Sequence, residues 1–320
     1  MNNVVLYVIT VLIWGSTWFA IEFQLGTVAP EVSIVYRYIV ASLLLFGWSR
    51  YRGLSLAFGL RQHGWFMLLG VLLFGLNYVL AYRAQIHITS ALTAIAFSAI
   101  VWMNIINARL FFGVRAGRRV LFGALLGIAG IFTLFAPQVG ELTLTDSVFY
   151  GMVLAVSGAL VASLGNMASQ AAQRRALPIV QSNAWGMSYG AVFSAAVAAV
   201  AGHPFNFEWT AGYVCSLIYL AVFGSVIAFG AYLTLLGRIG AHKSGYAMVM
   251  FPVVALILSM LFEGLQISAT VIVGTFLVLA GNLFVLDARP PRATERSDLP
   301  ADEWPARGAA TVSARARDVP

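Results

Sequence analysis

The sequence is poor in charged residues. Charged side chains make up 10% of the chain and hydrophobic ones 60%, whereas a soluble globular domain carries about a quarter charged residues. The apolar residues also form long uncharged runs, each close to the roughly 20 residues that cross the hydrocarbon core of a bilayer. These two properties exclude a soluble fold and predict an all-α integral membrane protein.

Cysteine is almost absent, since Cys215 is the only one. A disulfide framework is therefore excluded, and one thiol inside an apolar run indicates nothing about the redox compartment. The first apolar run, residues 4–21, lacks the basic start and the small-residue cleavage site of a secretory signal. We interpret it as a retained first helix.

Groups for catalysis are missing from the predicted spans. The histidines lie at span ends or in loops: His63, His87, His203 and His242. No span holds a histidine or paired carboxylates that could activate a serine or a water. Metal-ligand spacings, phosphate-binding loops and dinucleotide fingerprints are also absent. The sequence therefore predicts no enzyme, no catalytic residue, no metal and no cofactor.

Ten candidate spans can be drawn along the chain. By residue number they are 4–21, 32–49, 64–82, 88–108, 120–136, 148–167, 180–201, 211–237, 244–262 and 267–286. We divide them into a five-helix repeat over 1–140, a second over 141–286 and a disordered cytoplasmic tail over 287–320. An odd number of spans in each half gives the halves opposite orientations, and such inverted repeats are typical of transporters.

Basic and acidic residues separate onto opposite faces of this arrangement. Of the 19 basic residues, only Arg37 and Arg83 fall outside the tail and the loops assigned to the cytoplasm. The other face would hold acids alone: Glu22, Glu31, Glu141, Asp146, Glu208 and Glu263. This positive-inside pattern predicts a multi-pass inner-membrane protein with both termini in the cytoplasm. Because the net charge of +7 reflects these membrane-flanking loops, no nucleic-acid partner is expected.

Two tryptophans share one face of the first predicted span. Trp14 and Trp18 are four residues apart, and Trp14 lies roughly 15 Å from the start of the span at 1.5 Å per residue. Interfacial tryptophans lie near the membrane surface instead. Trp14 is therefore a cavity wall or a helix-packing residue, and Trp18 a second cavity residue or a member of the outer aromatic belt.

The third predicted span carries a polar and aromatic cluster of Asn77, Tyr78 and Tyr82. An amide inside a bilayer needs a partner, because lipid offers none. The partner is either a substrate or a side chain on another helix. For three further asparagines the bond between helices is the favoured interpretation: Asn104, Asn107 and Asn166.

One charged residue lies well inside a span. Arg37 is about five residues from the outer end of the second span, which is its start at residue 32. A charge within the membrane indicates a substrate or gating role unless the side chain snorkels to the surface. Arg83, at the end of the third span, is interpreted as a boundary anchor. Ser225 and Tyr246 complete the predicted substrate-binding set. Pro252 in the ninth span indicates either a cavity or hinge around which helices pack, or a simple kink.

Several short motifs resemble those of EamA-type members of the drug/metabolite transporter (DMT) superfamily. In the first half they are Trp14-Gly15-Ser16-Thr17-Trp18, Pro30 and Arg37-Tyr38. In the second half they are Gly224-Ser225-Val226-Ile227-Ala228-Phe229, Arg238-Ile239-Gly240, Tyr246, Phe251-Pro252-Val253-Val254-Ala255, Phe262-Glu263-Gly264 and Gly281-Asn282. The first half departs from the family pattern at Ser98, where a proline is common, and at Val114, where a glutamate is usual.

The resemblance implies ten transmembrane helices in two inverted five-helix repeats around a central cavity, which move small organic metabolites by alternating access. The hypothesis is an exporter of amino acids or similar amphipathic solutes. One alternative is uptake or exchange of a neutral solute, such as a nucleoside or sugar, by the same fold. Another is a structural or lipid-modifying membrane protein, in which Trp14 and Asn77 would not face inward. Small residues on many span faces would permit a homodimer, although no single motif specifies one.

Overall fold

The described part of the chain is built from helices. The computed structural model describes residues 1–141, 146–244, 247–248, 250–262 and 268–286, so the predicted tail lies outside it. Up to residue 141 the helices are α1 (Asn3–Glu22), α2 (Pro30–Tyr51), α3 (Leu60–Gln85), α4 (Ser90–Ser98), α5 (Ile100–Phe112) and α6 (Arg118–Glu141). The later helices are α7 (Asp146–Arg174), α8 (Ile179–Val200), α9 (Ala211–Ile239), α10 (Ala241–Ser244), α11 (Phe251–Phe262) and α12 (Ala269–Leu286).

Five of the described helices are long and apolar enough to cross a membrane, namely α1, α2, α3, α7 and α9. A continuous helix suits the bilayer because each backbone N–H and C=O finds its partner within the same segment. The spans predicted from hydropathy lie inside these helices, for example 4–21 within α1 and 64–82 within α3. For these five helices the apolar runs located the spans correctly. The fourth predicted span, 88–108, instead holds two helices, α4 and α5, which are separated at Ala99.

The ninth predicted span differs from the helices that the structure has there. The sequence predicts one span over 244–262, whereas α10 ends at Ser244 and α11 begins at Phe251. Pro252 is the second residue of α11, a position in the first turn where its missing N–H costs no helical hydrogen bond. The proline therefore marks the start of a helix, and the predicted kink inside a continuous span is wrong.

Small residues bring several helix pairs close together. α2 packs along α8, and α6 packs along α12. Where α6 meets α12, Gly281 lies directly against the backbone of Gly123 and Gly127. Where α3 meets α8, Gly190 lies against the backbone of Phe74. Such close approach is how membrane helices gain packing energy without a hydrophobic driving force between them.

Two of the long helices contain a π-helical stretch. In α3 it covers Gly70–Leu76 and in α9 it covers Leu220–Ile227. Within the second stretch the Ser225 hydroxyl donates to the carbonyl of Leu220, five residues earlier, at 2.9 Å. π-Helical turns are rare and frequently occur at functional sites. The residues that follow these two stretches are therefore candidates for a functional site, and they include Asn77, Tyr78 and Phe229.

Candidate functional site

A cavity of about 60 Å³ lies between helices from both sides of residue 141. Aromatic rings form much of its wall: Trp14, Trp18, Tyr78, Phe97, Phe229, Tyr232 and Phe251. Two amides, Asn77 and Asn166, interrupt the apolar surface, and no charged side chain of the described chain lines it. A largely apolar wall with a few polar groups is typical of a small-molecule site.

Trp14 is held in the wall by contacts from α9 and from the start of α11. Its ring centroid lies 4.7 Å from that of Phe229, 4.9 Å from Tyr232 and 5.7 Å from Phe251. Its indole N–H donates to the carbonyl oxygen of Gly224 at 2.9 Å. Because Gly224 belongs to the π-helical stretch of α9, Trp14 joins α1 to that stretch while also lining the cavity.

Several buried polar atoms at the cavity wall have no hydrogen-bond partner within the described residues. They are Trp18 Nε1, Asn77 Oδ1, Asn166 Oδ1 and the Tyr232 hydroxyl. Leaving a buried donor or acceptor unpaired costs about 1–3 kcal/mol, and lipid supplies no alternative partner.

Hydrogen bonds between α5 and α7 involve the three asparagines predicted to bridge helices. Asn166 Nδ2 donates to Asn104 Oδ1 at 3.3 Å. Asn107 Nδ2 donates to Ser163 Oγ at 2.9 Å. The prediction of hydrogen bonds between helices is confirmed for these residues.

Arg37 lies behind the cavity wall. It is 1% exposed, its Nε donates to Ser225 Oγ at 2.9 Å, and its Nη1 reaches the Tyr82 hydroxyl at 3.4 Å. The guanidinium carbon lies 4.6 Å from the ring centroid of Tyr78 and 5.4 Å from that of Tyr38. No carboxylate of the described ranges pairs with it. The snorkelling interpretation is therefore wrong, because this charge is buried among helices.

A second polar cluster joins three segments at the start of α2. The fully buried carboxylate of Glu31 accepts a hydrogen bond from Arg83 Nε at the end of α3. Its other oxygen lies 3.1 Å from His203 Nδ1, just after α8. Arg83 therefore ties the end of α3 to the start of α2 through a partner that the sequence did not identify, and its role as a boundary anchor stays a prediction.

Comparison with known proteins identifies the family of this chain. The profile of the EamA-like transporter family matches residues 1–136 and 149–287. The chain belongs to this family. Membership confirms the resemblance seen in the sequence motifs and makes the chain a membrane transporter with a small-molecule substrate, not an enzyme.

Two bacterial relatives of this EamA-like transporter carry transporter names. The uncharacterized transporter YoaV of Bacillus subtilis (strain 168) is 25% identical over 299 residues, which cover 90% of this chain and 99% of YoaV. The uncharacterized inner membrane transporter YedA of Escherichia coli (strain K12) is 27% identical over 250 residues, 77% of this chain and 78% of YedA. A crystal structure with 17% identity shares the fold at a TM-score of 0.71 and covers 88% of this chain and 95% of its own.

The predicted site residues of this EamA-like transporter fall into two neighbouring groups. Trp14, Trp18, Asn77 and Tyr78 line the cavity. Behind it lie the other three that the structure describes: Arg37, Tyr82 and Ser225. Tyr246 is outside the described residues. Asn77 and Trp14 face inward, which is the orientation expected of a transport site.

Sequence reasoning missed three aromatic residues of the cavity wall, namely Phe97, Phe229 and Phe251. Helices that are apolar on all sides give no periodic signal for the face that meets a cavity. The orientation of each ring depends on how its helix packs against the others. No pattern within a single span would have identified them.

Proposed function

We propose that this chain exports small amphipathic organic solutes, amino acids or similar metabolites, by alternating access. The observation that carries the proposal is the aromatic cavity with its unpaired polar groups, buried among long apolar helices. Rings of the wall would pack against the apolar part of a solute. The unpaired amide, indole and hydroxyl groups would meet its polar part.

The proposed architecture is ten transmembrane helices in two inverted repeats, over 1–140 and 141–286. Reciprocal packing supports it: α2 contacts the π-helical stretch of α9, and α8 contacts the π-helical stretch of α3. Each half would thus place its second helix against the third helix of the other half, as an axis in the membrane plane requires. The positive-inside pattern supports both termini in the cytoplasm.

Arg37 supports a carboxylate-bearing solute. A buried guanidinium without a counter-charge is unfavourable, and arginine matches the planar geometry of a carboxylate. The ring of Tyr78 contacts both the guanidinium and the cavity. We propose that movement of this ring, together with Ser225 and Tyr82, exposes Arg37 to a carboxylate during transport.

A neutral solute is the second candidate, because no charged side chain lines the cavity in the described chain. Arg37→Met distinguishes the two candidates, since an apolar side chain of similar length removes the charge without leaving a partner charge unpaired. Transport of a carboxylate solute is expected to be lost in this variant. Transport of a neutral solute is expected to persist.

The proposal is tested by metabolite profiling of medium and cytoplasm from cells that express the wild type, Trp14→Ala or no transporter. We expect a compound displaced to the medium by the wild type alone. Accumulation of a compound inside the cells would instead support uptake. If no compound moves in either direction, the transport proposal is wrong.

A further inference from the structure

The indole N–H of Trp14 meets a backbone carbonyl in the π-helical stretch of α9. In a regular α-helix the carbonyl oxygen of Gly224 would accept the N–H of Ala228, four residues later. Here the Ala228 N–H is directed instead to the carbonyls of Phe223 and Ser225. The Trp14 indole, on α1, donates to the Gly224 carbonyl at 2.9 Å. A side chain of the cavity wall therefore stands in for a hydrogen bond of the helix.

The peptide unit that Trp14 contacts also carries the partner of Arg37. The carbonyl of Gly224 and the N–H of Ser225 lie in one planar group, so the indole hydrogen bond orients the plane to which Ser225 is attached. The Ser225 hydroxyl donates to the carbonyl of Leu220 and accepts from Arg37 Nε, both at 2.9 Å. A Cβ at residue 224 would lie 3.1 Å from Arg37 Nη2. The guanidinium thus packs directly on the peptide that Trp14 orients.

Trp14 connects this peptide to the cavity. Its ring lines the cavity, whereas Arg37 lies behind the wall and is 1% exposed. A hydrogen bond weakens steeply once its angle falls below about 120°, so a solute that turns the ring would break the bond to Gly224. We infer that Trp14 is a positioning residue for Arg37: its indole N–H orients the peptide between Gly224 and Ser225, and displacement of the indole by a solute releases the guanidinium.

The consequence for transport rests on the proposed function, in which Arg37 becomes exposed to a solute carboxylate. No carboxylate of the described ranges pairs with this guanidinium, and its partners are Ser225, Tyr82 and the ring of Tyr78. The indole hydrogen bond would keep the charge buried while the cavity is empty. Entry of a solute against Trp14 would then initiate the movement of Ser225 that exposes Arg37.

The experiment measures how fast phenylglyoxal, a reagent for arginine side chains, modifies Arg37 in the full chain in lipid nanodiscs. Mass spectrometry quantifies the modified peptides, and Arg52, which is exposed just after α2, is the internal reference. Trp14→Phe keeps an aromatic ring and removes the N–H. Trp18→Phe is the matched control, because Trp18 lines the same cavity and its Nε1 has no partner within the described residues.

We expect Trp14→Phe to raise the modification rate of Arg37 roughly three- to tenfold, which corresponds to the loss of one hydrogen bond. Trp18→Phe is expected to leave that rate at the wild-type value. The melting temperature of each variant reports whether it folds. If Trp14→Phe does not fold, replacement of Trp14 by benzothienylalanine removes the N–H at nearly constant size and takes its place in the comparison.

A double variant separates positioning from packing. Ser225→Ala removes the hydrogen bond to Arg37 directly and should itself raise the modification rate. Because Trp14 is inferred to act through Ser225, adding Trp14→Phe to Ser225→Ala should raise the rate further by less than about twofold. If the indole hydrogen bond only packed α1 against α9, the effects of the two changes would multiply.

Three results would overturn the inference: an unchanged rate at Arg37 in Trp14→Phe, an equal rise in Trp18→Phe, or effects of Trp14→Phe and Ser225→Ala that multiply. Each leaves the proposed transport function in place if a compound moves in metabolite profiling. If the rate rises as expected and no compound moves in profiling, the positioning role of Trp14 stands and the proposed function is wrong.

Discussion

Gly190→Ala is expected to separate α3 from α8. A Cβ at residue 190 would lie 2.6 Å from the Cβ of Phe74 and 2.9 Å from its carbonyl carbon. Rotation of the Phe74 side chain moves neither atom, because the backbone fixes the position of the Cβ and the carbonyl carbon is itself backbone, so the helices must move apart. Overpacking of this kind costs about 1–3 kcal/mol. Phe74 lies in the π-helical stretch that precedes Asn77 and Tyr78, so transport is expected to fall as well.

Gly230→Ala is the matched control. Residue 230 also lies inside a long helix, but an added Cβ there would meet nothing within 4 Å. Replacing a helical glycine with alanine gains about 0.5–1 kcal/mol through backbone entropy. Because both variants share this gain, the difference between their free energies of unfolding isolates the steric cost of about 1–3 kcal/mol at residue 190.

The assay is unfolding of the purified protein in mixed micelles with increasing dodecyl sulfate, followed by circular dichroism. We expect Gly230→Ala to unfold at or above the wild-type midpoint and Gly190→Ala clearly below it. Coincident midpoints for the two variants would refute the reasoning, because the contact between α3 and α8 would then have room for a methyl group.

Two further substitutions and one topology measurement test other parts of the structure. Trp14→Ala should reduce transport more than membrane abundance, measured by flux assay and immunoblot; equal losses would assign this residue to packing alone. Glu31→Gln should lower the thermal midpoint in detergent, because a charge-assisted pair is worth more than its neutral counterpart, and an unchanged midpoint would show that the cluster adds no stability. Reporter fusions should place Arg115 in the cytoplasm and Glu141 on the opposite side of the membrane. A reversed result would contradict the proposed orientation.

Much of the fold could be predicted from the sequence because a bilayer requires each long apolar run to form a helix. The runs at 4–21, 32–49 and 64–82 had to be helices to satisfy their backbone groups in lipid, and α1, α2 and α3 contain them. The start of α11 at Phe251 was missed because hydropathy does not change between 244 and 262 while helix geometry does.

The candidate site was predicted only in part. Trp14 and Asn77 stood out because a large indole and an amide are conspicuous at mid-bilayer, and both line the cavity. Phe229 and Phe251 were missed because phenylalanine is unremarkable in an apolar span. Arg37 was identified by its charge, but its burial was not foreseen, because its Ser225 contact lies 188 residues away in the chain.

By itself the sequence determined that this protein is a helical membrane transporter of the EamA-like family. Lack of charge, long apolar runs and short motifs are local properties, and the bilayer acts on each run separately. The tertiary structure decided which side chains share a space: Arg37 with Ser225 and Tyr82, Glu31 with Arg83 and His203, and Asn104 with Asn166. Those pairings follow from the mutual rotation of helices that small residues allow to pack closely, and no single span contains that information.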